Sequence, residues 1–259
     1  APPEGLLEIN AARKALSEGN VDACREKLRA AYAKAPNLPP PNLMFARLLL
    51  SAGHVAQGRA MLEQVAVSHP NNPDLYLMFG NLALADEHAT DAARHFDRAL
   101  SLESPQGWNE LQQAYLERAV LEGRTTVAER RGDWKQASEL YQQQVAARPK
   151  NAKLRDRFAM ALFHAGELDR AFEQFDLSRL QDASMNPPEV SMAVMYVRKR
   201  NYEASDEWFA KALEKYEGEA AVHFEHSIAM LYQDRTQEAA ASAAKAQELG
   251  MDTELRKMH

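Results

Sequence analysis

The sequence predicts an all-α protein built from about seven helix-turn-helix repeats. Residues that favour helices, above all Ala, Leu, Glu, Arg and Gln, dominate the chain. Runs of Val, Ile and Thr, which are typical of strands, are almost absent. Small residues also recur at a constant interval, which indicates that one structural unit is repeated along the chain.

Each repeat contains a small residue followed four residues later by a bulky one. The pairs are Cys24 and Leu28, Gly58 and Leu62, Ala92 and Phe96, Ala137 and Tyr141, Ala171 and Phe175, Ser205 and Phe209, and a weakened pair, Ala239 and Ala243. Successive small residues lie 34 apart, except for an interval of 45 between Ala92 and Ala137. Because two antiparallel helices joined by a short turn must cross closely, small residues are expected at the crossing and bulky ones beside it. Cys24 is therefore expected to be a packed side chain and not a nucleophile.

A longer motif indicates the kind of repeat. It is read in Tyr76-x2-Phe79-Gly80 with Ala92-x3-Phe96, and in Phe158-Ala159-x2-Leu162 with Ala171-x3-Phe175. Together with the 34-residue period, this motif resembles the tetratricopeptide-repeat (TPR) family over roughly residues 5–250. The resemblance implies a right-handed α-solenoid whose first helices line a concave groove, where ligands usually lie.

On this basis the whole chain, 1–259, is expected to be a single TPR-like solenoid. The expected repeats span about 5–38, 39–72, 73–104, 105–151, 152–185, 186–219 and 220–252, followed by a short C-terminal cap at 253–259. A single helical hairpin cannot bury its apolar face alone, so neighbouring repeats are expected to complete the core.

The fourth repeat is eleven residues too long. Its first helix is expected to extend over about 107–131, and Gly123 with Thr125 and Thr126 marks a weak point where that helix would kink or split. The extra turns either protrude from the solenoid, or they widen the groove and offer a docking surface. If they protrude, deleting eleven residues from 116–128 is expected to leave a folded protein.

Charge and motifs argue against several functional classes. The formal net charge is −6, and the only tight basic cluster is Arg198-Lys199-Arg200, so no nucleic-acid binding is predicted. No apolar run approaches the ~18 residues that span a membrane, so no membrane insertion is predicted. The chain has no phosphate-binding glycine loop, no nucleophile elbow and no HExxH zinc motif. The protein is therefore expected to be neither an enzyme nor the carrier of a cofactor.

Two histidines are spaced as metal ligands could be. His223 and His226 would share one face of a helix, as a two-histidine site requires. However, they fall where the repeat places core residues of a first helix, so no metal site is predicted. The chain starts Ala1-Pro2-Pro3-Glu4, without Met or an apolar signal region. It is therefore expected to be soluble, and either cytoplasmic or exported with its signal removed, the compartment remaining open.

The resemblance also predicts which residues line the groove. The residue after the small position of each first helix should point into it, which gives Arg13, Arg47, Asn81, Gln113, Met160, Val194 and Ile228. Flanking candidates are Asn109, Phe163, His164, Val197, Phe224, Leu231 and Tyr232. The series changes from cationic through amide to apolar, which predicts an amphipathic ligand. Its acidic or polar end would lie against the N-terminal repeats and its apolar end against the C-terminal repeats.

The predicted function is a non-catalytic scaffold that binds a peptide or helix of a partner protein in this groove. Two alternatives remain: a homo-oligomeric assembly module, and an accessory TPR domain of a larger enzyme or secretion complex. Some family members bind acidic chaperone tails through a clamp of Lys, Asn and Arg. Ile9 and Leu43 stand at the corresponding positions, so chaperone-tail binding is not predicted.

Overall fold

The computed structural model describes residues 5–250, which form fourteen α-helices and no strand. The helices are α1 Leu6–Ser17, α2 Val21–Lys34, α3 Pro41–Ser51, α4 Val55–Ser68, α5 Pro73–Ala85, α6 Ala89–Ser101, α7 Glu110–Arg131, α8 Trp134–Ala147, α9 Ala152–Ala165, α10 Leu168–Gln181, α11 Pro188–Arg198, α12 Tyr202–Lys215, α13 Ala220–Tyr232 and α14 Thr236–Glu248. The predicted all-α repeat fold is confirmed. The predicted cap at 253–259 lies outside the described residues.

Consecutive helices pack as hairpins within two compact units. One unit ends at Arg131 and the other begins at Gly132. In the N-terminal unit α1 packs on α2, α3 on α4 and α5 on α6, while α7 packs on both α5 and α6. In the C-terminal unit α9 packs on both α8 and α10, α11 on α12 and α13 on α14. Short turns join the helices within the pairs α1 and α2, α3 and α4, α5 and α6, α9 and α10, α11 and α12, and α13 and α14.

The small residues at the helix crossings are buried, as the sequence predicts. Cys24, Ala92, Ala137, Ala171 and Ser205 are fully enclosed. Cys24 fills a crossing in the N-terminal unit as a packed side chain, and burial raises the pKa of its thiol. The bulky residues four positions later, from Leu28 to Phe209, are equally buried, because they fill the space that the small residues leave beside the crossing.

Phe96 shows how closely the helices approach. Its ring lies against two glycines, Gly80 of α5 and Gly123 of α7. A Cβ atom added at either glycine would come closer than 3.0 Å to the ring. Gly123 is therefore a point of close contact rather than a weak point, and α7 runs from Glu110 to Arg131 without splitting there.

The long helix α7 belongs to the core of the N-terminal unit. Leu116, Val120, Val127 and Ala128 are buried. The first three belong to one core cluster that also contains residues of α5 and α6. Residues 116–128 therefore do not protrude. An eleven-residue deletion in this segment would remove core side chains, contrary to the expectation from the sequence.

The start of α7 carries the extra length and is tied down by polar contacts. Asn109 and Gln112 form a reciprocal cap, because each side-chain oxygen accepts a hydrogen bond of 3.0 Å from the other residue's backbone N–H. The amide of Gln112 also donates a 2.7 Å hydrogen bond to the carbonyl oxygen of Asn37, in the loop between α2 and α3. Leu111 and Tyr115 in the first turns remain exposed.

A matched pair of leucines on α7 tests this placement. Leu116 is 5% exposed and Leu111 is 80% exposed. We expect Leu116→Ala to lower the free energy of unfolding by about 2–5 kcal/mol, because it leaves a cavity in the core. Leu111→Ala should change it by less than about 0.5 kcal/mol. Urea unfolding followed by circular dichroism measures both, and equal effects would show that residues 116–128 are not packed.

The contact between Gly123 and Phe96 gives a second prediction. Gly123→Ala should stabilise the helix by about 1 kcal/mol through its higher helix propensity. The added methyl group should also overpack the crossing, which costs about 1–3 kcal/mol. We therefore expect the free energy of unfolding to fall by up to about 2 kcal/mol. Gly218→Ala is the control, because an added Cβ there meets no atom within 4 Å. Thermal unfolding compares the two variants. A Gly123→Ala protein more stable than the wild type would contradict the close contact.

Candidate binding groove

Three first helices of the C-terminal unit, α9, α11 and α13, line a groove that we call the C-terminal groove. It consists of two adjoining cavities of about 320 and 620 Å³. The smaller is lined by Asp156, Met160, Phe175, Ser184, Met185, Asn186, Ser191, Val194, Met195, Arg198 and Glu225. The larger is lined by Asn186, Val194, Val197, Arg198, Arg200, Tyr202, Glu225, Ile228, Ala229 and Tyr232.

An apolar stripe runs along this groove. Met160, Val194 and Ile228 lie at successive 34-residue intervals on α9, α11 and α13, and all three are partly exposed. The helix starts fix their register. The Asn151 side chain accepts a 3.0 Å hydrogen bond from the Leu154 N–H to cap α9, and Pro188 occupies the first turn of α11.

The structure brings together five of the predicted residues in this unit: Met160, Val194, Val197, Ile228 and Tyr232. Leu231 and Phe224 also lie on α13, Leu231 exposed and Phe224 half-buried. Phe163 is fully buried and packs edge-on against Tyr196 at 4.9 Å between ring centroids, so it does not line an exposed surface. His164 stacks on Trp134 with 4.2 Å between centroids.

The charged residues of the groove are not among the residues that the sequence predicts for the site. Asp156 precedes Met160 by four residues, and Arg198 follows Val194 by four, so each shares a helix face with a predicted residue. Glu225 lies three residues before Ile228 on the same face of α13. Burial raises the pKa of Asp156, and the positive charge of Arg198 opposes this shift. The spacing of three or four residues is the sequence signal that could have identified them.

The end of α11, beside the C-terminal groove, carries positive charge next to a buried aromatic ring. The ammonium of Lys199 lies 4.9 Å from the centroid of the Phe163 ring. Burial lowers the pKa of His164, and the nearby charges of Lys199 and Arg198 lower it further. The end of α11 is therefore a region of positive charge, and its Arg198 lines both cavities of the groove.

The predicted residues of the N-terminal unit lie on α1, α3, α5 and around the start of α7. Arg13, Arg47 and Asn81 are exposed. However, Arg47 forms an ion pair of 3.5 Å with the buried Asp74 of α5. Burial raises the pKa of Asp74, and Arg47 opposes this shift. The charge of Arg47 is thus partly neutralised by Asp74 within the unit.

The two predicted amides near the start of α7 are already engaged. Asn109 caps the helix through its side-chain oxygen. Gln113 is exposed and donates a 3.1 Å hydrogen bond to Glu117, one turn further along. In the other repeats, the small position of the first helix lies twelve residues before that of the second helix. In this repeat that position is Thr125, which is buried in α7. Because the predicted groove residue follows the small position by one, Gln113 lies more than three turns before the equivalent position.

Comparison with known proteins places this architecture. Residues 15–79 match the family model of the tetratricopeptide repeat. YrrB, described as a TPR protein with an unusual peptide-binding site, is 22% identical with a TM-score of 0.56, over 81% of this chain and 99% of that one. The family match assigns residues 15–79 to tetratricopeptide repeats, and the structural likeness extends this fold over 81% of the chain.

Two further solved structures share this fold. A tetratricopeptide repeat protein from Parabacteroides merdae is 15% identical with a TM-score of 0.55, over 98% of this chain and 96% of that one. PilW, described as a widely conserved type IV pilus biogenesis factor, is 13% identical with a TM-score of 0.53, over 84% of this chain and 96% of that one. No curated protein matches the sequence significantly.

The two histidines that are spaced as metal ligands have separate hydrogen-bond partners in the structure. His223 Nε2 lies 2.8 Å from the carbonyl oxygen of Glu217, and His226 Nδ1 lies 2.7 Å from Ser242 Oγ. Within residues 5–250, no three His, Cys, Asp or Glu side chains are grouped so as to hold a metal ion. In the same range no helix is both long and apolar enough to span a membrane.

The environment of His226 predicts a pH dependence of stability. Burial lowers its pKa, with Arg235 and His223 adding to the shift and Asp206 and Glu238 opposing it. Since the folded state favours the neutral ring, this contribution is present above the pKa of the unfolded chain and is lost as the pH falls through the lowered folded pKa. Urea unfolding at pH 7.5 and pH 5 (about one unit or more on either side of the ordinary histidine pKa) measures the loss.

Substitution isolates the part of this loss that belongs to His226. We expect His226→Gln to show a smaller drop between the two pH values than the wild type, while the exposed His88→Gln shows the wild-type drop. Some dependence should persist in both, because burial also lowers the pKa values of His95 and His164. An unchanged drop in His226→Gln would contradict this assignment.

Proposed function

We propose that this protein is a non-catalytic scaffold that binds a peptide or helix of a partner protein in the C-terminal groove. The observation that carries the proposal is the apolar stripe of Met160, Val194 and Ile228, which lines two adjoining cavities between polar side chains. Ligand sites are concave surfaces that combine apolar side chains with polar groups that fix the orientation of the ligand. YrrB, which shares the fold, is itself described as having a peptide-binding site.

The shape of the groove favours an elongated ligand. Its lining comes from three successive first helices, so a bound segment would lie across α9, α11 and α13 and touch each in turn. Such a ligand places apolar anchors at intervals, as amphipathic helices and extended peptides do. Burial of these anchors is expected to supply most of the affinity, while exposed ion pairs add only ~0–1 kcal/mol each.

A homo-oligomeric assembly module is the second candidate. Leu231 and Tyr232, at the end of α13, are 58% and 70% exposed, so a second copy of the chain would find apolar surface there. Light scattering at several concentrations separates the two candidates, because only the assembly module changes its mass with concentration. As an accessory domain of a larger enzyme or secretion complex, the chain would use the same groove.

Peptide selection tests the scaffold proposal. A phage-displayed library of random peptides is selected on the wild-type protein, and synthetic versions of the enriched peptides are measured by fluorescence anisotropy. We expect Val194→Asp to weaken their binding at least about tenfold, because a carboxylate then replaces an apolar anchor. Arg47→Ala should weaken it by less than about threefold, because a surface ion pair contributes little.

Controls for folding make this comparison decisive. Circular dichroism and urea unfolding establish that each variant is folded, and Ile228→Ser replaces Val194→Asp if the latter does not fold. Peptides that bind Val194→Asp and Ile228→Ser as tightly as the wild type would place the binding face elsewhere. In that event the proposal would be rejected.

A further inference from the structure

We propose that the partner segment bound in the C-terminal groove is acidic. Its Asp or Glu carboxylates would lie against Arg198, Lys199 and Arg200, which we call the basic edge, while an aliphatic side chain occupies the apolar stripe. This inference rests on the proposed function. The sequence alone predicts that the acidic part of the ligand contacts Arg13 and Arg47 in the N-terminal unit. We place it instead in the C-terminal groove, beside the apolar stripe.

The basic edge is formed by the end of α11. Arg198 is the last residue of the helix, Lys199 is its C-cap, and Arg200 follows in the turn before α12. All three side chains are exposed. Arg198 and Arg200 line the larger cavity together with Val194 and Ile228. A ligand lying on the apolar stripe is therefore within reach of both guanidinium groups.

The positive charge of this edge is not neutralised by ion pairs within the described part of the chain. None of the three side chains has a carboxylate within 4.0 Å among residues 5–250, although Asp156 acts on Arg198 from a longer distance. Arginines elsewhere in the unit are paired, Arg235 with Asp206 at 2.6 Å and Arg179 with Glu219 at 2.8 Å. Free guanidinium groups bind carboxylates through two parallel N–H donors, which favours an acidic ligand.

The carboxylates of the groove make a basic ligand the weaker alternative. Asp156 is partly buried and faces the charge of Arg198, and its raised pKa reflects the cost of desolvating its anion. Glu225 already has an interaction within the chain. Among residues 5–250, the exposed charges of the groove that lack an ion-pair partner are thus those of Arg198 and Arg200, so charge complementarity selects an acidic segment.

The backbone at Arg200 allows its charge to be removed without damage to the fold. Arg200 has φ of 56°, in the left-handed region, at the turn position where the two preceding repeats have Gly132 and Gly166. Glycine adopts this conformation more readily than arginine. Arg200→Gly should therefore leave the unfolding midpoint unchanged or raise it. Glu87→Gly is the matched control, because Glu87 has φ of 64° at the equivalent turn of the N-terminal unit.

A double-mutant cycle tests the inference with synthetic peptides taken from the library selection. Each peptide is made with its native Asp or Glu residues and with Asn or Gln in their place. We expect the enriched peptides to contain Asp or Glu, and the amide versions to bind about three- to tenfold more weakly. Arg200→Gly should weaken the acidic version by a similar factor and leave the amide version unchanged, while Glu87→Gly changes neither.

The outcomes separate this inference from the proposed function. If the enriched peptides lose binding in Val194→Asp but carry Lys or Arg, the groove binds peptides and the acidic partner is rejected. The acidic partner is also rejected if Arg200→Gly weakens the acidic and amide versions equally. If no peptide is enriched, or if none depends on Val194 and Ile228, the proposed function itself is rejected.

Discussion

Close approach of two helices at each crossing is the constraint on which this structure depends. A side chain larger than a methyl or thiol group at Cys24, Ala92 or Ala171 would separate the helices and expose the core. The ring of Phe96, held between Gly80 and Gly123, shows the same constraint acting between three helices. Because this crossing recurs along the chain, mostly at intervals of 34 residues, it also sets Met160, Val194 and Ile228 at equivalent positions in the C-terminal groove.

Periodicity in the sequence is sufficient to predict the all-α repeat fold, but it is not sufficient for the fourth repeat. There, the low helix propensity of glycine predicts a weak point at Gly123, whereas the contact with Phe96 requires a glycine at this position. A sequence pattern cannot distinguish a glycine that a helix tolerates from one that a neighbouring ring demands. Gln113 is misplaced for a related reason: the motif near Trp108 marks the start of a long helix, whereas the crossing register is set from Ala137.

The groove is predictable only in part. The register gives the apolar stripe, since Met160, Val194 and Ile228 follow from the same count along the chain. It does not give the state of the charges, because whether an arginine is free depends on partners distant in sequence. Arg47 is paired with Asp74, whereas Arg200 has no carboxylate within ion-pair distance in the described chain. The sequence predicts cationic residues at one end of the chain and apolar residues at the other. In the C-terminal groove, arginines and apolar side chains instead line the same cavity.

The turn after each first helix explains how one fold supports different groove chemistry. Every such turn in the described chain has a left-handed residue, and Gly19, Gly53, Gly132 and Gly166 supply it without a side chain. At the equivalent turn after α11 the left-handed residue is Arg200, whose side chain lines a cavity. One repeat later it is Asp234, which carries a carboxylate. The crossing residues leave no freedom for such variation, whereas the turn accepts it for a modest conformational cost. Binding specificity in this chain is therefore expected to reside in the turns and the exposed stripe, while stability resides in the crossings.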